Sequence, residues 1–457
     1  MFFSTMNYLL AINWGEVGVK AAQFILSFSI LIVLHEFGHY ITAKWFKCRV
    51  EKFYLFFNPW FSIWKKKKGE TEYGLGWIPL GGYVKISGMI DESMDKEAMK
   101  QPAQPYEFRS KPAWQRLIIM LGGIIVNIIL AILIFIMILW VWGEKYMPPS
   151  SARYGIVADS LAQKIGLRNG DMILKVGGKE VRDILNMRGE VVYNEGEKTI
   201  TVQRGDSILN LEYDKSTVRK LNTRDAGSFI SVRVPFVIDK FAKNSTAEKA
   251  GVKAGDRIIA VNDIPTLYYD EFTKLMKDKG KEKISLSVIR NSDTLAIAVE
   301  LDEKGKLGAW PVDDYKKLGF SLAVKKYSFF QAIPAGFNKC WSTLGKYMKG
   351  LKQLFNGNAK ASESVGSVFS IGGIYPGVWD WHIFWTLTAV FSIILAFMNV
   401  LPIPGLDGGH ALFTLVEMIT GRKPSDKFLE YAQIVGMVLL LGLMAYALGL
   451  DIFRMFK

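Results

Sequence analysis

Four long apolar runs constrain the fold of this chain more than any other feature of its sequence. Residues 117–143 and 381–406 carry no charge over 27 and 26 positions. Residues 431–450 are also uncharged, and residues 21–43 carry only Glu36. About 20 apolar residues at roughly 1.5 Å each cross a hydrocarbon core of about 30 Å. The runs therefore predict a polytopic α-helical membrane protein with four transmembrane helices, at about 18–43, 117–143, 381–402 and 430–451.

The basic residues predict how these helices are oriented. The segment after the first helix begins with Lys44, Lys47 and Arg49, and the segment between the third and fourth helices contains Arg422 and Lys423. Because loops rich in lysine and arginine stay in the cytoplasm, residues 44–116 and 407–430 are predicted inside, and residues 144–380 outside. The formal net charge of +14 among 457 residues is then mainly a topology signal. No basic stripe interleaved with aromatic residues stands out, so nucleic acid is not an expected partner.

The strongest chemical motif lies inside the first apolar run. Residues 35–39 read HEFGH, which places His35 and His39 four positions apart on one helical face with Glu36 beside them. Two imidazoles at this spacing bind one tetrahedral Zn²⁺, and the adjacent carboxylate reaches a metal-bound water as general base. The alternative, a pair of structural histidines, is disfavoured because ionisable groups inside a membrane helix are costly and usually functional. At about 1.5 Å per residue from Lys44, the site is expected below the cytoplasmic boundary of the membrane.

A zinc site of this kind needs a third protein ligand. The third run ends in FMNVLPIPGLDGGH, where Asp407 is the one carboxylate between Asp380 and Glu417. The predicted topology brings this segment to the same depth as the end of the first helix, and its prolines and glycines break the helix near the metal. We therefore expect Asp407 to complete the set with His35 and His39. Asn399 is predicted either to bind the substrate backbone or to join two helices, and His410 either to line the cavity or to start a helix.

The segment between the second and third helices contains an internal repeat. Residues 160–177 align with residues 245–262 at an offset of 85, with eight identities, including a Gly-Asp pair in each copy. Such self-similarity indicates two copies of one small unit. The pattern SxAxKxGxxxGDxI resembles a PDZ domain of the bacterial protease-associated kind. PDZ domains bind an extended peptide as an added strand, and spacers or size filters are the alternative role.

Together these motifs resemble the site-2 protease family of intramembrane zinc metalloproteases, within it the bacterial regulator of sigma-E protease (RseP) group. The resemblance rests on HEFGH in the first helix, NVLPIPGLDGGH in the third and the PDZ-like units between them, and it covers nearly the whole chain. It implies that His35, His39 and Asp407 hold one zinc, that Glu36 is the catalytic base, and that Asn399 is the family asparagine. It further implies cleavage within the transmembrane segment of single-pass substrates, such as pre-cut anti-sigma factors or remnant signal peptides, in a bacterial inner membrane.

The same resemblance, with the sequence pattern, predicts the domain organisation. Residues 1–143 form an N-terminal membrane part whose β-prone residues, about 50–90, look like a membrane re-entrant β-loop. Within it, Lys65 to Lys68 are predicted to form a solvated turn, with a binding patch as the alternative. PDZ-like α+β domains occupy 150–225 and 228–305 on the outer, periplasmic side. An amphipathic helix is predicted over 326–356, on the membrane surface or under the PDZ-like units. Residues 380–457 form the C-terminal membrane part.

One function of a different class is consistent with the same modules. A membrane scaffold or chaperone that presents peptide-binding PDZ-like units, without proteolysis, would share the helices and the repeat. It would not need Glu36, Asp407 or an intramembrane metal. The presence of the complete set favours the protease.

Overall fold

We describe a computed structural model, which covers residues 13–89, 102–223, 226–277 and 279–455. It divides into two compact units. The first comprises the described residues of Met1–Gly143, Lys326–Lys349 and Val365–Lys457, and the second those of Glu144–Lys325 and Gly350–Ser364.

The helices, in chain order, are α1 Trp14–Trp45, α2 Ala113–Val141, α3 Ser160–Lys164, α4 Met187–Val192, α5 Lys215–Leu221, α6 Thr246–Lys249, α7 Tyr269–Met276, α8 Phe329–Phe355, α9 Ala361–Ser364, α10 Val368–Gly372, α11 Trp381–Val400, α12 Asp407–Thr420 and α13 Asp426–Met455. The strands are β1 Val50–Phe57, β2 Trp64–Lys68, β3 Thr71–Leu75, β4 Ile78–Ile86, β5 Glu144–Tyr146, β6 Ile156–Ala158, β7 Met172–Val176, β8 Lys179–Glu180, β9 Thr199–Arg204, β10 Ser207–Glu212, β11 Ile230–Val232, β12 Ile238–Phe241, β13 Arg257–Val261, β14 Ile264–Pro265, β15 Lys283–Arg290, β16 Asp293–Glu300, β17 Ala309–Pro311 and β18 Ala323–Lys325.

Four helices of the first unit, α1, α2, α11 and α13, are long and apolar enough to cross a membrane. This confirms four candidate spans at the positions expected from the sequence. Helix α1 begins earlier than expected, where the Asn13 side chain accepts a hydrogen bond from the main chain of Glu16. Helix α11 ends at Val400, because Pro402 and Pro404 follow directly and cannot continue the helical hydrogen bonds.

A four-stranded sheet in the order β2-β3-β1-β4 packs beside α1. Strand β1 pairs with β3 in parallel and with β4 in antiparallel orientation. The sequence interpretation placed Lys65 to Lys68 in a turn, and the structure corrects this. The four lysines lie in β2, paired with β3, and the turn is made by Gly69 and Glu70.

The first unit also contains α12, α10 and the N-terminal part of α8. Helix α12, which the sequence interpretation treated as part of a loop, starts at Asp407 and packs against α2. The predicted amphipathic helix is present as α8. Its small residue Gly336 lies against Ile136 of α2, and the Tyr347 ring lies 5.4 Å from the Phe397 ring of α11. The position of α8 relative to the membrane surface stays a prediction.

The second unit contains the repeat as two sheets of the same strand order, β8-β7-β9-β10 and β14-β13-β15-β16. Each sheet covers its own hydrophobic core, with Ile173 and Val202 in one and Ile258 and Leu286 in the other. The duplicated strand order indicates that the two copies fold in the same way.

The repeated Gly-Asp turn has the same structural partner in each copy. Asp171 binds the guanidinium of Arg204 at 2.7 and 2.8 Å, and Asp256 binds that of Arg290 at 2.7 Å through both oxygens. Burial opposes ionisation of Asp256, but Arg290 and the main-chain N–H of Lys253 hold the pKa of this carboxyl below its usual value. The ion pair therefore ties the turn to the following hairpin while the carboxylate is ionised.

Candidate metal centre

The three predicted ligands converge in the first unit. Nε2 of His35 lies 3.1 Å from Oδ2 of Asp407, and Nε2 of His39 lies 3.3 Å from the same oxygen. The two Nε2 atoms are 3.4 Å apart. Both histidines are buried. One helical turn of α1 and the first residue of α12 therefore place three donor atoms around one point.

These distances fit a tetrahedral zinc ion. Zinc bonds to nitrogen and oxygen of about 2.0–2.1 Å at tetrahedral angles place neighbouring ligand atoms about 3.3 Å apart. In the described part of the chain, Oδ2 of Asp407 is buried and has no hydrogen bond of acceptable geometry, although both histidine nitrogens are near it. If the lone pairs of the three ligand atoms point to a common centre, no N–H is directed at Oδ2. This explains why the oxygen lies close to both histidine nitrogens and yet accepts no hydrogen bond from them. His35, His39 and Asp407 thus form a candidate metal-binding group.

A carbonyl oxygen fixes the tautomer of His39. Its Nδ1 lies 2.9 Å from the main-chain oxygen of Ile119 in α2. A carbonyl oxygen only accepts, so Nδ1 carries the proton and Nε2 keeps its lone pair for a metal. The neighbouring helix therefore prepares this histidine for ligation.

The corresponding contact of His35 is made by Asn127, a residue that the sequence interpretation did not assign to the site. The Asn127 side chain is fully buried, and its Nδ2 lies 3.0 Å from Nδ1 of His35 while its Oδ1 has no partner among the described residues. Turning the amide by 180° exchanges the two atoms, so that Oδ1 accepts a proton from Nδ1. Both histidines then have the same tautomer. A lone amide in the uncharged run 117–143 was the sequence signal for this contact.

Helix α2 approaches the histidines closely at Gly123. A Cβ atom at this position would lie 2.5 Å from Nε2 of His39 and 2.6 Å from Cε1 of His35. These separations are shorter than any normal carbon contact. Glycine is therefore the residue type that leaves room for both imidazoles.

A cavity of about 850 Å³ opens beside the three ligands. Glu36 lines it with His35 and His39, and Phe28, Ile32 and Leu395 give it apolar walls. Strand β4, an edge strand of the sheet, lines it from Gly81 to Ile86.

Three further polar residues line this cavity. Asn399 is buried, and its Nδ2 lies 3.5 Å from Nε2 of His35. His410, in the first turn of α12, places Nε2 3.1 Å from Oε1 of Gln433 in α13. The lining thus combines polar groups near the candidate metal position with apolar side chains and an edge strand.

Comparison with known proteins identifies the family of this chain. The model of the Peptidase family M50 matches residues 23–443. The chain belongs to peptidase family M50. Its M50 relatives include the Regulator of sigma-E protease RseP of Escherichia coli (strain K12), 30% identical over 95% of this chain and 98% of the relative. A Putative zinc metalloprotease of Neisseria meningitidis serogroup A is 29% identical over 94% of this chain and 98% of the relative.

Membership of family M50 confirms the enzyme class expected from the sequence. The chain is a zinc metalloprotease of the site-2 protease type. The four apolar helices and the RseP relatives indicate an inner-membrane protein. The individual roles of Glu36, His35, His39, Asp407 and Asn399 stay predictions.

Proposed function

We propose that this M50 peptidase hydrolyses a peptide bond within the transmembrane segment of single-pass membrane proteins. The observation that carries the proposal is the convergence of His35, His39 and Asp407 on one point of a cavity between membrane-span helices and the edge strand β4. In this proposal the three side chains hold one zinc ion. The bound ion polarises the scissile carbonyl and lowers the pKa of water.

Glu36 is the proposed general base. It follows His35 directly and lines the same cavity. Its carboxylate takes a proton from the attacking water and returns it to the amide nitrogen as the C–N bond breaks. Asn399, buried beside His35, is proposed to donate a hydrogen bond from its amide to the substrate backbone.

Strand β4 is the proposed docking edge for the substrate. A transmembrane helix shields its peptide bonds, so the scissile segment must become extended before attack. An extended segment can pair with the main chain of an edge strand. Gly81 and Gly82 of β4 line the cavity and carry no side chain that would keep a second strand away.

The two repeated units are proposed to be PDZ-like domains on the outer side of the membrane, with the metal near the cytoplasmic face. Their common strand order and their matching Asp–Arg pairs support the duplication. Their proposed roles are to bind a substrate C-terminus or to exclude substrates with bulky outer domains. By similarity to the sigma-E protease relatives, we expect a membrane-bound regulator of a sigma factor among the substrates.

The test compares Glu36→Gln with the native chain in proteoliposomes that contain a single-pass substrate. Loss of a general base is expected to lower turnover by about 100- to 10,000-fold, while zinc content stays unchanged. The cut site, mapped by mass spectrometry, should lie inside the apolar segment. Glu16→Gln, at the exposed start of the same helix, is the matched control and should keep full activity. Undiminished turnover by Glu36→Gln, or efficient cleavage of water-soluble peptides alone, would overturn the proposal.

A further inference from the structure

The lysine strand, Lys65 to Lys68 of β2, is a cationic surface that the proposed proteolysis does not use. All four lysines are exposed, and β2 is the edge of the sheet opposite to β4. No carboxylate in the described ranges forms an ion pair with them. The two acidic residues of the hairpin have other partners: Glu72 accepts a hydrogen bond of 2.7 Å from the Tyr54 hydroxyl, and Glu70 lies 3.8 Å from Nζ of Lys44.

An exposed aromatic cluster adjoins Trp64, at the end of β2 that precedes the four lysines. Trp60 and Phe61 stack on Trp77, with ring centroids 5.9 and 5.7 Å away, and Trp60 is 89% exposed. Ile63 and Trp64 are also exposed. An apolar patch of this kind is unfavourable in water, so in a membrane protein lipid is expected to cover it.

The strand register relates both features to the membrane span α1. Trp64 pairs with Leu75, which pairs with Leu55, and Leu55 pairs in turn with Gly82 of β4. Gly82 lies against Ile32, because a Cβ atom there would come within 2.7 Å of its Cγ2. The aromatic end of β2 is therefore at the level of the middle of α1.

The other end of β2 lies near the end of α1. Lys68 pairs with Thr71, whose hydroxyl donates to the main-chain oxygen of Val50, just after α1 ends at Trp45. Ile32 and Lys44 are about 18 Å apart along a helix. The strand thus runs from the level of the middle of α1 towards the level of its end. Flexible lysine stems can bend so that their ammonium groups reach the headgroup layer.

We propose that the lysine strand binds the anionic headgroups of phospholipids in the leaflet where α1 ends. Phosphate oxygens complement four cations that form no ion pair within the described residues, and the aromatic cluster holds the adjoining end of the sheet in the acyl region. The surface anchors the sheet whose opposite edge, β4, lines the metal cavity. A strand that used its lysines only to prevent pairing with other strands would show no preference for lipid charge.

The test is native mass spectrometry of the full-length chain in detergent, titrated with phosphatidylglycerol or phosphatidylcholine. Replacement of all four lysines by glutamine should weaken phosphatidylglycerol binding by at least about fivefold, the effect of one lysine near an anionic surface, and leave phosphatidylcholine binding unchanged. An all-arginine version should restore binding. Inorganic phosphate at the same concentration should not compete, because the proposed ligand is the lipid.

A matched control removes the same number of charges elsewhere. It replaces four exposed lysines of the second unit by glutamine: Lys179, Lys215, Lys243 and Lys304. This variant should bind phosphatidylglycerol like the native chain. Equal losses in both variants would show an effect of net charge alone and overturn the proposal. Full lipid binding by the variant in which glutamine replaces Lys65 to Lys68 would overturn the proposal as well. This holds whether or not that variant binds an acidic substrate segment more weakly. Proteolysis depends on other residues, so failure of the proposed cleavage would leave this result unaffected.

Discussion

The Asn127 side-chain amide lies 3.0 Å from Nδ1 of His35, on the side of the imidazole ring away from Asp407. One contact therefore orients the ring while Nε2 faces the candidate metal position. The same division of roles holds for His39, whose Nδ1 meets the carbonyl oxygen of Ile119. Helix α2 contributes no ligand, yet it sets the direction of both ligands in α1.

Asn127→Leu should therefore weaken zinc binding without removing a ligand. Loss of such a supporting hydrogen bond lowers metal affinity by about 10- to 100-fold. Asn127→Asp, which keeps an acceptor for Nδ1–H, should retain most of the affinity. The measurement is zinc retention against a graded series of chelators. If Asn127→Leu and Asn127→Asp lost zinc equally, the amide would have only a packing role.

Asp407→Asn should reduce zinc binding more strongly than Asn127→Leu, by more than about 100-fold, because it replaces an anionic side chain that is proposed to bind the metal directly. Zinc content per chain after dialysis gives the result. Asp380→Asn removes a carboxylate at the opposite end of α11, where Asp380 accepts a hydrogen bond from the main chain of Ile383. That control should keep its zinc. Normal zinc content in Asp407→Asn would exclude Asp407 as a ligand.

Gly123→Ala tests the close approach of α2 to the site. The added methyl group would overlap both imidazole rings, so the helices must separate or the rings must turn, and zinc content and turnover should fall together. Gly442→Ala in α13, where an added Cβ meets nothing within 4 Å, is the matched substitution and should be neutral. Full activity of Gly123→Ala would contradict the close approach of α2 to the two imidazoles.

The Asp256–Arg290 pair predicts a local dependence on pH in the second repeated unit. The folded-state pKa of Asp256 is lowered, so its stabilising contribution is complete above the unfolded value of about 3.9 and is lost as the pH falls through the folded value. Hydrogen exchange of the peptides from β13 and β15, corrected for intrinsic rates, should therefore increase below about pH 4. Asp256→Asn should remove this dependence, and Asp293→Asn, at an exposed strand end, should retain it.

The sequence predicted those parts of the site that depend on local spacing or on a scarce residue type. The four-residue interval between His35 and His39 fixes their common helical face, and Asp407 is the one carboxylate near the end of the third run. Asn127 and Gly123 were not assigned, because their roles arise from the close packing of α2 on α1, which one sequence does not encode locally. Lysine alone does not favour a strand, so the sequence predicts a turn at Lys65 to Lys68. Pairing with β3 determines their extended conformation.

The ion pair between Arg116 and Glu417 is expected to hold Asp407 in place. Nη2 of Arg116 in α2 lies 2.5 Å from Oε1 of Glu417 in α12, and both side chains are largely buried. Removal of one member of a buried ion pair costs about 3–5 kcal/mol, because the other charge stays unpaired. Arg116→Met should therefore loosen α12, which begins at Asp407, and lower zinc affinity.

The double variant Arg116→Met, Glu417→Met distinguishes the loss of the ion pair from the effect of leaving one buried charge unpaired. It leaves no unpaired charge between α2 and α12, so it should recover most of the zinc affinity that Arg116→Met loses. Thermal unfolding and chelator titration of the two single variants and the double variant give the coupling free energy between the side chains. Additive losses would mean that the two residues act independently, and the ion pair would then have no part in positioning Asp407.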